Sequence, residues 1–263
     1  MSRHDLNRRG FLTLAVAVLV APGRLLGAEP AGRRGTYVVD VGLLYSMLTF
    51  HLQGVLDEQV DQAAGRYEVR SEGQGDRITS RLHSRGILRN GRWTPLEATS
   101  HFDVYGRESR TQVAYDHDRR SVEYHARAET FLRRRLRVVD DVLTLPAGQH
   151  VDDAVSALLN YRDGRWAPDT DGRLRTHVVR RRQSDSEGPD DVARTYRAEL
   201  VPLELTVTTD PRTGKREAML DLSRFSSWAR SSQPARIVFD ESRRPTLISG
   251  PLILGSSLSI RLT

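Results

Sequence analysis

The stretch "PLEATSHFDV", residues 95–104, decides the fold. Leu96, Ala98, Ser100, Phe102 and Val104 fall on one side of it, and Glu97, Thr99, His101 and Asp103 on the other. A period of two is what a half-buried strand requires, because successive side chains point to opposite faces. Downstream, "SVEYHARAE" (121–129) repeats the pattern, setting Val122, Tyr124, Ala126 and Ala128 against Glu123, His125, Arg127 and Glu129. Between it and "TQVAY" (111–115) lies the polar turn "DHDRR" (116–120), so residues 109–129 read as a hairpin.

The same alternation recurs in both directions along the chain. "LTFHLQGVL" (48–56) groups Leu48, Phe50, Leu52 and Leu56; "PLELTVTT" (202–209) groups Leu203, Leu205 and Val207; "SSLSIRLT" (256–263) groups Leu258, Ile260 and Leu262. About a dozen such segments alternate with turn sequences such as "RNGRW", "DPRTGK" and "DESRRP". Strand following strand, without the helical crossovers of a parallel sheet, predicts a mainly β, antiparallel curved sheet or an open or partly closed barrel.

Two or three short helices are expected to interrupt it. The clearer one is "DDAVSALLNYRDG" (152–164), where Asp152 or Asp153 caps and Val155, Leu158 and Leu159 share a face. A weaker one covers "LSRFSSWARS" (222–231), and "RQSDSEGPDD" (182–191) has so little to bury that it reads as an exposed loop. No repeat of fixed period is visible, so residues 29–263 read as one β-rich domain.

Residues 1–28 read as a cleavable export signal. A basic start ending in Arg8 and Arg9 leads into the apolar run Phe11–Ala21, and small Ala28 marks the expected cleavage. Eleven helical residues rise about 16 Å, too little to span a hydrocarbon core of ~30 Å. Within it, Arg8, Arg9, Gly10, Phe11 and Leu12 resemble the twin-arginine export signal, which implies the translocation machinery of that route as a partner and the periplasm as destination. No later apolar run is long enough to span a bilayer, so no stable transmembrane segment is expected after cleavage.

Composition narrows the functional classes. The chain carries no cysteine, which rules out disulfides, thiolate nucleophiles and Cys-bound metals within it. Its net charge is +6, but the leader holds Arg3, Arg8, Arg9 and Arg24 against Asp5 alone. The basic excess is therefore partly an export feature, and nucleic acid is not expected as a partner. Lys215 is the single lysine among 40 basic residues, a bias of composition rather than of one site.

The search for chemistry returns little. His51, His83, His101, His117, His125, His150 and His177 follow the leader, widely scattered and without an H-E-x-x-H pair. "DHD" (Asp116, His117, Asp118) has the plainer reading of a solvated turn. His101, Asp103, Glu123 and His125 would meet only if their strands were neighbours, and a solvated sheet face explains them as well. The acid pairs Asp140-Asp141, Asp152-Asp153 and Asp190-Asp191 point to opposite faces if extended, so caps and turns account for them better than glycosidase chemistry. With no G-x-S-x-G elbow and no glycine-rich phosphate loop, neither an enzyme nor a cofactor is expected.

Two basic runs stand apart, "RRRLR" (133–137) and "RRR" (180–182). If the first is strand, Arg133, Arg135 and Arg137 form a row on one face, with Leu136 and Val138 on the other. Such a row suits contact with lipid phosphates or an anionic glycan, though a charged solvent face that discourages edge pairing is the plainer reading.

The order of these segments resembles a family of exported bacterial proteins known as domain of unknown function 3108. The resemblance runs over most of residues 36–262. It is carried by "TYVVDVGLLYSMLTFHLQG" (36–54), "GRYEVRSEGQG" (65–75), Tyr115-Asp116, Asp152 ahead of Leu158-Leu159, Arg244-Pro245 and the closing Leu-Gly strand. It implies an envelope protein with a curved sheet or open barrel and supplies no catalytic residues. The expected function is to bind or carry a lipid or other amphiphile on that sheet. The alternative is an assembly or scaffold protein binding protein or anionic glycan, and behind both stands an enzyme whose site shows no motif. A carrier requires an apolar cavity of several hundred cubic ångströms; a scaffold requires a filled core with an exposed apolar or basic patch.

Overall fold

A computed structural model describes residues 31–43, 48–130, 133–182, 187, 190–224, 233–252 and 256–263. The elements follow in chain order as β1 (Ala31–Leu43), β2 (Leu48–Asp61), β3 (Arg66–Gly75), β4 (Ile78–Arg89), β5 (Arg92–Val104), β6 (Arg107–Asp116), β7 (Ser121–Glu129) and β8 (Leu136–Thr144). After α1 (Ala154–Arg162) come β9 (Leu174–Arg181), β10 (Ala198–Thr209), β11 (Arg216–Leu220), a 3-10 turn at Leu222–Arg224, β12 (Ala235–Phe239), β13 (Pro245–Pro251) and β14 (Ser257–Leu262). Among the described residues there is one α-helix where two or three were expected. Residues 222–231 contribute only that 3-10 turn before leaving the described region.

Among the described residues, all fourteen strands join one antiparallel sheet, in the order β8-β7-β6-β5-β4-β3-β2-β1-β14-β13-β12-β11-β10-β9. Every ladder joins strands consecutive in sequence except one, β1 with β14, which sets Tyr37 opposite Leu262 and Val41 opposite Leu258. The tight turns follow from local chemistry. Asn90 and Gly91 both adopt positive φ, as do Tyr105 and Gly106, which is the geometry that matches the twist of a two-residue hairpin. The expected hairpin over 109–129 is β6 and β7, its turn held by Asp116, whose carboxylate accepts from the Asp118 and Arg119 amides.

The sheet curls until its two ends meet, leaving a nearly closed barrel. The edge strands β8 and β9 form no ladder with each other. Side chains close the seam instead: Asp141 accepts from the Ala198 amide at 2.8 Å and pairs with Arg197 at 3.0 Å. Arg137 donates to the Asp191 carbonyl from both Nε and Nη2. A buried cluster of Val113, Tyr115, Val122, Tyr124 and Val139 with Ala198 continues the core across the gap.

Three clusters of buried side chains occupy the interior, and α1 lies between two of them. Val155 and Leu159 pack with Tyr37, Leu56 and Trp93, while Ala157 and Tyr161 pack with Trp166, Leu205 and Phe239. A helix buried on several sides has no need of a narrow apolar stripe, and here Ser156 and Asn160 are buried as well. Asp153 is the N-cap, accepting from the Ser156 amide at 2.6 Å, and the Ser156 hydroxyl answers the Asp153 amide at 3.0 Å. Asn160 then imitates a strand: its side chain accepts from the Trp93 amide at 2.7 Å and donates to the Trp93 carbonyl at 2.8 Å.

Candidate functional site

The Arg8, Arg9, Phe11 and Leu12 signal and the cleavage point at Ala28 lie outside the described residues, as does most of the 182–191 loop. The arginine row can be placed, and it differs from the expectation. Arg133 to Arg135 are not strand but the turn before β8, where Arg134 has a φ of 53°. In β8 the expected faces are exchanged: Arg137 turns inward, its side chain 14% exposed and ion-paired with Glu187, while Leu136 and Val138 face outward. The cause is register. Val139 lies opposite Ala126 and Asp141 opposite Tyr124, partners in a ladder share a face, and that of Val139 and Tyr124 is buried. Charged residues pointing inward on an edge strand also keep it from pairing with another chain.

A different site emerges from the ladder. A groove of about 700 Å³ crosses the outward face of six strands, β3 to β8. Its floor is the cross-strand row Ser71, Leu82, Ser100, Thr111, Ala126 and Val139. The side chains flanking that row, one residue before and one after on each strand, make its two walls. One wall is Arg70, His83, Thr99, Gln112, His125 and Asp140; the other is Glu72, Arg81, His101, Arg110, Arg127 and Val138. At ~4.8 Å between strands, the groove runs for about 24 Å.

The groove is cationic, with four arginines against the carboxylates of Glu72 and Asp140. Several cations are already paired. Arg70 and His83 both donate to Glu68, at 2.5 and 2.9 Å. Burial raises the Glu68 carboxyl, but these two hydrogen bonds outweigh it and hold the group below its usual value. Arg110 meets Glu108 at 2.9 Å, and His125 meets Asp140. Arg81 and Arg127 are different: among the described residues neither side chain makes a hydrogen bond or ion pair. Glu72 lies opposite Arg81 in register, yet no ion pair closes between them.

His101 and His125 therefore lie in one groove but on opposite walls, separated by β6 rather than adjacent. Asp103 is occupied in capping the Gly106 amide, and Glu123 lies beyond the groove. Among the described residues no group of three or more His, Cys, Asp or Glu is close enough to hold a metal ion. His117 of the "DHD" turn meets the Pro95 carbonyl at 2.6 Å, and burial lowers its pKa against that bond. Asp152 and Asp153 are spoken for by α1 and its surroundings. The sequence pointed toward none of the groove as a unit, because its walls come from six strands and exist only once every register is set.

No family model and no curated protein matches the chain. The resemblance to domain of unknown function 3108 rests on residue order alone. Among solved structures, a crystal structure of a beta-barrel-like protein of domain of unknown function DUF1849 from Brucella abortus is similar to 90% of this chain and 98% of that one, at 8% identity and a TM-score of 0.44.

Proposed function

We propose that this is an exported cell-envelope protein that binds an extended anionic ligand, a glycan bearing carboxylate or phosphate groups, in the groove over β3 to β8. The observation that carries the reading is the pair of unpartnered guanidiniums, Arg81 and Arg127, flanking His101 and Arg110 on one wall. Guanidinium forks match planar anions, and Thr99 and Gln112 on the facing wall offer neutral hydrogen-bonding groups to sugar hydroxyls. Three packed clusters of buried side chains inside and a basic patch outside favour this scaffold-type role over an amphiphile held inside the barrel.

The test is isothermal titration of the chain with an acidic oligosaccharide, tetragalacturonate, and a neutral one, maltotetraose. Binding of the acidic sugar alone, weakened by salt and at least tenfold weaker in Arg81→Ala/Arg127→Ala, is the expected result. Equal affinity for both sugars would overturn it. Export is tested separately by Arg8→Lys/Arg9→Lys, which should leave the protein in the cytoplasm; normal accumulation outside it would point to the general secretory route.

An amphiphile lying outside the barrel is the second reading, favoured by the exposed apolar residues of β8 at the end of the groove.

A further inference from the structure

The two faces of β8 are exchanged relative to an ordinary edge strand. Outward lie Leu136, Val138 and Val142, 43%, 42% and 64% exposed, with the His125-paired Asp140 between the two valines, while Arg137 and Asp141 point in beside Val139. The exposed residues are not isolated, since Val138 ends one wall of the groove and lies directly opposite Arg127 in the ladder. Polarity thus changes along one wall of the trough, cationic over β4 to β7 and apolar at Val138, while the other wall ends at Asp140, which His125 pairs.

From this gradient we infer that the groove's ligand is amphiphilic: an anionic saccharide over the arginines, joined to an apolar chain that lies across Leu136, Val138 and Val142. The inference rests on the glycan reading above and names the kind of glycan, one attached to a lipid or similar tail. Two other occupants fit less well. A second protein needs far more surface, because three partly exposed aliphatic side chains offer on the order of 200 Å² against the ~800 Å² per partner of a standard interface. Strand addition at the free edge of β8 is obstructed, because Asp141 and Arg137 already tie that strand to Arg197, Ala198 and Asp191. A small apolar strip continuous with a cationic groove suits a chain of several methylenes beside an anionic head.

The experiment compares three probes on the full chain: tetragalacturonate, its octyl glycoside kept below micelle-forming concentration, and octyl maltotetraoside. The octyl group should tighten binding of the acidic sugar at least tenfold, and the neutral octyl sugar should bind more weakly than the acidic one. In Leu136→Gln/Val142→Thr, two outward positions beyond the groove walls, that gain should vanish while affinity for the tailless acidic sugar is retained. An octyl group without effect, or a gain that survives the double substitution, overturns the inference and leaves the glycan reading standing. Failure of the tailless acidic sugar to bind overturns the glycan reading itself. A wild-type dimer that dissociates on Leu136→Gln/Val142→Thr, seen by light scattering, overturns the inference by identifying a second copy as the cover.

Discussion

Two polar regions of the barrel, one inside and one outside, use similar side chains to opposite ends. Inside, Asp152 has no exposed surface and accepts from Arg92 at 3.0 Å, Ser156 at 2.8 Å, Asn160 at 3.0 Å and Thr176 at 2.6 Å. Those donors come from β5, α1 and β9, so one carboxylate fastens the helix to strands from both halves of the sheet. Outside, Arg81 and Arg127 are exposed, and neither guanidinium is ion-paired. A buried polar group without a partner costs about 1–3 kcal/mol, so the interior must satisfy its own. An exposed arginine is satisfied by water and is left available to a visiting anion. The interior network is thus read as architecture, the outer row as a site.

The comparison breaks first at Asn160. Replacing it with Leu keeps the volume but leaves the Trp93 amide and carbonyl and one Asp152 bond without a partner. A loss of about 3–5 kcal/mol is expected in urea unfolding; a loss under 1 kcal/mol would show that the inner network is ornamental. The second test is pH. Burial raises the Asp153 carboxyl above its ordinary value, against hydrogen bonds from Ser156 and Ser84. A carboxyl with a raised folded pKa favours the fold while protonated and disfavours it once ionised, so its penalty grows as pH climbs from the unfolded value of ~3.9 through the folded one. The stability of Asp153→Asn relative to wild type should therefore rise with pH across that window, and a pH-independent difference would refute the assignment. The smallest effect belongs outside: Arg81→Ala/Arg127→Ala should change stability by less than about 0.5 kcal/mol. A larger loss would mean that these arginines serve the fold and are not held for a ligand.

How much of this was legible beforehand follows from what a period of two contains. Alternation in "PLEATSHFDV" and "SVEYHARAE" marked strands correctly, and "RNGRW" marked the turn that Asn90 and Gly91 make. Alternation gives a period but not its sign. In β8 hydropathy favoured Leu136 and Val138 as the inner face, yet the ladder with β7 placed Val139 and Arg137 there, and Glu187 and Asp191 made the arginine tolerable. The groove was harder still. Arg81, Arg110 and Arg127 sit on three strands and become one wall only through registers that no local pattern records. Asn160 was hidden for a related reason, since a helical asparagine looks like an exposed residue until its strand partner is known.

The pairing of β1 with β14 has a consequence for how the chain is made. Residues β2 to β8 can zip as successive hairpins soon after they emerge, because each strand pairs with its immediate neighbour. β1 cannot finish that way: Thr36 meets Thr263 across 227 residues of sequence. Such a contact demands the closure of nearly the whole chain and forms late. Until β14 has left the ribosome, the edge of β1 that it covers stays unpaired. The edge of β1 is thus open to misassembly for at least as long as the intervening chain takes to be made, and six-residue β14 is the latch that closes it.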